Sequence, residues 1–149
     1  VHEGGGVLTA AAIPSTTRIM TMKDTFHDNA AAASLAPAVV TATTKGSHVD
    51  LRGYGSALLL INTGAIAGDG DYSIAIQHSD TTTDGDFADV TAADLLGTLP
   101  ASLEADTAYR QGYIGKKRYV RAVITKAGGT SIAAGAVFVL GHPAMAPAA

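Results

Sequence analysis

The residues that could do chemistry are mainly histidines and aspartates, and their spacing decides between a metal site and ordinary structure. No two histidines are spaced as a local metal motif, and the chain has no HExxH sequence, so we predict no histidine metal site. The absence of cysteine excludes thiolate ligands and a cysteine nucleophile. The five histidines are His2, His27, His48, His78 and His142.

Residues 80–86, with the sequence DTTTDGD, partly resemble a calcium-binding loop. Oxygen-bearing side chains stand at alternate positions and a glycine stands at the sixth. The twelfth position is Thr91, however, where such a loop needs a bidentate glutamate. An Asp-Gly pair is also typical of a hairpin turn, because Asp and Thr side chains bond to their own backbone. We therefore predict a turn that binds no cation.

Catalytic motifs are missing from the sequence. There is no GxSxG nucleophile elbow, and the GDGD sequence at residues 68–71 lacks the lysine and the following helix of a phosphate loop. No pair of carboxylates has a spacing that marks it as catalytic. We predict that the protein is not an enzyme and uses no cofactor.

A basic run at residues 116–118 lies among tyrosines, a combination that could bind nucleic acid. The net charge of −3 argues against this. The alternative is that Lys117 and Arg121 line a solvated strand face. The tyrosines Tyr109, Tyr113 and Tyr119 then pack with their hydroxyls outward. We prefer this second interpretation and predict no nucleic-acid partner.

The low charge content also bears on how the protein works. Only 15% of the 149 residues are charged, against about 25% in an average globular domain. Such a surface is unusual for a free monomer, which suggests that partners cover part of it, although a bias toward small residues would look the same. The longest apolar run, residues 57–61, is far short of the ~20 residues of a membrane helix, so no membrane partner is predicted. The N-terminal sequence also lacks the features of a secretory signal.

The pattern of elements predicts an all-β fold, an antiparallel β-sandwich or jelly-roll-like single domain over residues 29–149 with an extended N-terminal arm. About seven short strands are separated by turn residues. The apolar run SALLLINT, residues 56–63, predicts a central strand covered on both faces. Alternation in residues 71–79 directs Tyr72, Ile74 and Ile76 to one face.

Toward the C-terminus, residues 118–126 predict a strand with Val120, Ala122 and Ile124 inward. The last strand is predicted over residues 133–140, as a possible hairpin partner across the Gly128-Gly129 turn. Residues 143–149 are predicted to form a C-terminal tail.

Residues 1–28 are predicted to be the arm. A Gly4–Gly6 run and Pro14 forbid a continuous helix, yet apolar residues are scattered along the segment at irregular spacing. A disordered tail would be more polar, so we predict that the arm is a strap that contacts a neighbouring protein. The predicted protein-interface residues are Val7, Leu8, Ile13, Ile19, Met20, Met22 and Phe26.

Several blocks of the sequence resemble small virion proteins of tailed bacteriophages, whose genes tend to lie near the major capsid gene. The blocks are RGYGSALLLINTGAIAG, QHSDTTTDGDFADVTAADLLGTLPA, YIGKKRYVRAVITKAGGTSIAAG and LGHP, and together they cover most of residues 52–143. The resemblance implies a structural particle protein, in first place a decoration (cement) protein that binds and stabilises the head shell.

The resemblance also implies the partners and the location. The expected partners are the major capsid protein and further copies of the chain, by analogy a homotrimer. The expected location is the capsid surface of the virion, after synthesis in the bacterial host cytoplasm. A head–tail connector or tail component is the alternative within the particle. A carbohydrate-binding β-sandwich module is the alternative outside it, but the chain has no tryptophan for an aromatic platform.

Overall fold

The computed structural model describes residues 21–145, and this part of the chain is all-β, as the sequence predicts. It contains ten strands and two short 3-10 turns, Asp84–Asp86 and Ala92–Asp94. The strands are β1 (Asn29–Val40), β2 (Thr44–Lys45), β3 (Val49–Asp50), β4 (Tyr54–Ala67), β5 (Asp71–Ser79), β6 (Ala88–Asp89), β7 (Leu95–Leu96), β8 (Ala108–Tyr113), β9 (Tyr119–Gly128) and β10 (Ser131–Pro143).

The strands form two antiparallel sheets that pack as a sandwich. In the first, here called the β9 sheet, β9 lies between β5 and the short strands β2 and β3, and β6 adds to β5. In the second, the β10 sheet, the order is β1–β10–β4–β8–β7. β1 begins at Asn29, well before the apolar run at Ala38, because its alanines pair with β10.

The predicted hairpin of the last two long strands is wrong. β9 pairs with β5, whereas β10 pairs with β1 and β4 in the other sheet, so the Gly128-Gly129 turn carries the chain from one layer to the other. Gly129 has a φ of +74°, and a Cβ there would collide with the carbonyl group of Asp69. Glycine is therefore required at this crossover for both its conformation and its lack of a side chain.

Alternate residues of both sheets fill one hydrophobic core. The predicted inward positions are confirmed, since Tyr72, Ile74 and Ile76 of β5 are buried, as are Val120, Ala122 and Ile124 of β9. The largest fully buried side chains are Tyr72, Phe138, Leu59, Ile61, Ile76, Ile124, Ile132 and Val120.

Two buried hydroxyl groups link the sheets. Ser34 Oγ of β1 accepts a hydrogen bond from the Ala122 amide of β9 at 2.9 Å and donates one to the Ser47 carbonyl at 2.8 Å. Tyr72 Oη of β5 lies 3.0 Å from the carbonyl oxygen of Val40 at the end of β1. These contacts satisfy polar groups that would otherwise be costly inside the core.

The prediction for β4 is half right. The strand is central in its sheet, between β10 and β8, and Ala57, Leu59 and Ile61 are buried. In the described part of the chain its other face is partly exposed, since Leu60 is 37% exposed. The continuous apolar run therefore gives one face to the core and leaves the other on the outside of the sandwich.

Candidate protein-interaction surface

The outer face of the β10 sheet is apolar. Between the buried positions of the two central strands lie Leu58, Leu60 and Asn62 on β4 and Ala133, Gly135, Val137 and Val139 on β10, none of which is fully buried. Asn62 is the one polar residue of this set. Within residues 21–145, Arg110 of β8 is the only charged residue in the strands of this sheet. An antiparallel sandwich normally alternates apolar residues inward with polar residues outward, so this face departs from the usual pattern.

The outer face of the β9 sheet is polar and charged, in contrast to the outer face of the β10 sheet. Gln77 and Arg121 lie on that face, and salt bridges there join Asp84 to Lys45 and Arg121. The charged residues in the strands of that sheet are Lys45, Asp50, Asp71, Asp89, Arg121 and Lys126.

A groove of about 800 Å³ crosses the apolar face, lined by residues of β1, β10, β4 and β8. Val39, at 67% exposed, and Leu60 line it together with Tyr109. Gly135 also lines it, and a Cβ there would lie 3.1 Å from the Cα of Pro37. The small residue lets β1 and β10 approach closely.

Beside the groove, the same face continues to Leu96 of β7, which is 56% exposed. Leu58, Leu96 and Gly112 line a smaller depression of about 300 Å³ next to Arg110. A contiguous exposed apolar surface of this kind marks a site of protein contact more often than a free surface.

Arg121 corrects one prediction, since it does not lie on a solvated face. It is only 6% exposed, and its guanidinium donates to Gln77 Oε1 at 2.8 and 3.0 Å and to Asp84 Oδ1 at 2.6 Å. The Phe87 ring covers it, with its centroid 4.2 Å from Cζ. The loop after β5 therefore folds over the sheet and buries this cation.

The same contacts determine what the aspartate run can do. The Asp84 carboxylate accepts from Arg121 and from Lys45, and the Arg121 hydrogen bond, followed by that of Lys45, lowers the pKa of Asp84. Within residues 21–145, no group of three or more His, Asp or Glu side chains is placed to hold a metal ion. The loop joins β5 to β6 through a 3-10 turn and uses its acidic groups for structural contacts.

The basic run lines a cleft of about 470 Å³ with Arg52. Two of its cations are paired, Lys117 with Asp80 at 2.7 Å and Arg118 with Asp50 at 2.9 Å. The hydrogen bonds from Arg118 lower the pKa of Asp50 to about 2 against the opposing effect of burial. Lys117 and Arg118 are therefore each neutralised by an aspartate of the same chain.

Tyr113 differs from the prediction that its hydroxyl points outward. The residue is buried, and its Oη lies 2.9 Å from His78 Nδ1 and accepts the Lys117 amide at 3.0 Å. Burial raises the pKa of its hydroxyl. Its ring is therefore not available to stack on a nucleotide base.

The predicted interface residues of the arm fall in two groups. Val7, Leu8, Ile13, Ile19 and Met20 lie outside the described residues. Met22 and Phe26 are described and are 89% and 83% exposed, so the structure brings neither into the core of the sandwich. Their assignment as contact residues stays a prediction.

The outward residues of the β10 sheet, such as Leu60 and Val137, are not among the contact residues predicted from the sequence. The pattern that could have identified them was present, since SALLLINT and AAGAVFVL are both apolar without alternation. We interpreted the first as a strand covered on both faces, although in an antiparallel sandwich one face of each strand is the outside of the molecule.

No protein-family model matches the chain, and no curated protein shows a significant match to it. In the part of the chain that the structure describes, no helix is long and apolar enough to cross a membrane.

Proposed function

We propose that the protein is a non-catalytic structural component of a tailed-bacteriophage particle, specifically a decoration protein that binds the head shell. The observation that supports this best is the outer face of the β10 sheet, which is largely apolar and, in the part of the chain that the structure describes, has one charged residue in its strands. The resemblance of residues 52–143 to small virion proteins gives the class of particle.

The two outer faces of the sandwich differ in polarity. The exposed face contains leucine, valine and alanine. Covering it with protein lowers the free energy by about 25 cal/mol per Å² of apolar area buried. The charged face of the β9 sheet has no such drive and is suited to solvent. A body with one face of each kind fits a protein that lies on a larger assembly.

Binding to a symmetric shell relaxes the demand on each contact. The major capsid protein presents the same surface many times, and copies of the decoration protein that contact each other bind together. Linked binding events gain from effective concentration, so a modest apolar face is sufficient when it is repeated. The partners proposed are therefore the major capsid protein and further copies of this chain.

The test is sedimentation of the purified protein with expanded capsids that lack it, and separately with isolated tails. We expect co-sedimentation with capsids and not with tails. Leu96→Glu should weaken capsid retention at least tenfold, because it places a charge on the apolar face away from the groove.

The matched control is Ala75→Glu, which adds the same charge at an exposed position on the outer face of the β9 sheet. It should bind like the wild type. Equal retention on tails and capsids, or no retention on either, would reject the decoration function.

A further inference from the structure

The groove on the β10 sheet is too small to be the whole interface between two rigid bodies. Its lining spans four strands and, on β10, the five residues 133–137, or about 15 Å in each direction. The projected area is therefore roughly 250 Å², whereas a stable interface buries about 800 Å² on each partner. A groove of these dimensions fits an extended segment, which contacts it with side chains and backbone together.

The segment that joins the arm to the sandwich leaves the body of its own chain. All residues from 21 to 28 are exposed, including the large side chains of Met22 and Phe26. A turn fixes this exit, because Asp24 accepts hydrogen bonds from the amides of Phe26 and His27, and Asn29 Nδ2 donates to the Thr25 carbonyl. Neither Met22 nor Phe26 is among the residues that pack against the core of their own chain.

Residues 7–13 have the composition and the reach that the groove requires. The sequence VLTAAAI combines three large aliphatic residues with small ones and has no charge, like the strands that line the groove. A stretch of seven extended residues spans about 20 Å, enough to cross it. Gly4–Gly6 and Pro14 bound the segment on either side.

We infer that residues 7–13 of one copy bind in the groove of a second copy, with Val7, Leu8 and Ile13 against Leu60, Val137 and Val39. This rests on the proposed function only in that the protein acts by binding other proteins through its apolar face. Each chain then gives one arm and receives one. Such a contact is heterologous and closes into a ring when the rotation between copies allows it.

The test uses two full-length variants that disable opposite halves of the contact. Val7→Asp with Leu8→Asp removes the anchors of the arm and leaves the groove intact. Leu60→Glu places a charge in the groove and leaves the arm intact, and Ala33→Glu does the same at an exposed alanine in case Leu60→Glu does not fold. Far-UV circular dichroism and the melting temperature check folding, and light scattering with size-exclusion chromatography gives the mass.

We expect the wild type to be an oligomer and each variant alone to be a monomer. An equimolar mixture of the arm variant and the groove variant should form a two-chain complex, because one arm and one groove remain. Ala75→Glu, on the other sheet, should keep the wild-type mass. A monomeric wild type, variants that keep the wild-type mass, or a mixture without the two-chain complex would each overturn the inference.

The result is separable from the decoration function. An oligomer of the expected behaviour that does not bind capsids would leave the arm contact intact and reject decoration. A monomeric wild type that binds capsids would reject the arm contact and leave the decoration function intact.

Discussion

At the residue scale, Arg121 shows how a cation stabilises an outer sheet face once a loop covers it. Its guanidinium has hydrogen bonds to Gln77 and Asp84 and lies against the Phe87 ring. The side chain thus joins β9 to β5 and to the loop that follows β5. Removing it leaves Gln77 Oε1 without its donor and exposes Phe87.

We expect Arg121→Ala to lower the free energy of unfolding by about 1–3 kcal/mol, because a partly buried hydrogen-bonded network loses its central donor. Urea denaturation measures this. Lys117→Ala is the control, since its pair with Asp80 is exposed and contributes little to stability. An unchanged midpoint for Arg121→Ala would mean that the network makes no net contribution.

Asp50 predicts a dependence of stability on pH. Its pKa in the folded protein is about 2, below the ordinary 3.8, because Arg118 donates two hydrogen bonds to it. A depressed pKa adds stability above the unfolded pKa, and this contribution is lost as the pH falls through about 4 toward about 2. The effect is small, since both side chains are more than two-fifths exposed.

The melting temperature of the wild type should therefore fall more steeply between pH 4 and pH 2 than that of Asp50→Asn. The difference between the two proteins should shrink as the pH decreases. If the melting temperatures of the two proteins fell in parallel across this pH range, the Asp50–Arg118 pair would make no contribution to stability.

The sequence could not predict the burial of Arg121, although it predicted the strand correctly. Alternation places Arg121 on the outer face of β9, where an arginine is ordinarily solvated. Its cover comes from Phe87, in a loop that lies far away in sequence and reaches it only through tertiary structure. Tyr113 and His78 are likewise far apart in sequence and meet only through tertiary structure.

At the scale of the element, β4 gives a matched pair of adjacent leucines. Leu59 is fully buried in the core, whereas Leu60 lies in the groove on the outer face. Leu59→Asp should prevent soluble folding, because an unpaired charge in the core costs several kcal/mol. Leu60→Asp should fold, with a loss of about 1 kcal/mol or less in the monomer.

Soluble yield and circular dichroism of the two variants decide the point. A folded Leu59→Asp protein would contradict the assignment of the inner face. An unfolded Leu60→Asp protein would mean that the outer face is part of the core of the chain itself.

Strand periodicity explains which elements were predictable. In β5 and β9, the large apolar side chains recur at every second position with Ser73, Gln77, Arg121 and Thr125 among the residues between them, so the inner face could be identified although Val123 interrupts the pattern. In β4 the apolar run has no alternation, and periodicity alone does not distinguish two covered faces from one. The Gly128-Gly129 turn is equally suited to a hairpin and to a crossover between sheets, and only the pairing of β10 with β1 and β4 decides between them.

At the scale of the whole molecule, the all-β class was predictable because turn residues and β-branched residues recur along the chain. The difference between the two outer faces was not, since it depends on which strands share a sheet. The long strands without charge, β1, β4 and β10, come from distant parts of the sequence and meet in one layer. Their assembly creates a surface that no single segment reveals.

The irregular course of β1 has a consequence for colloidal stability. Within residues 21–145 this twelve-residue strand lies at the edge of its sheet, and its strand sequence has no charge, a combination that invites edge-to-edge stacking into fibrils. Pro37 has no amide hydrogen to offer a stacking strand, and the register of β10 against β1 shifts twice between Ala134 and Val137. Pro37 and the two register shifts thus make β1 a poor template for a second strand, which disfavours edge-to-edge polymerisation.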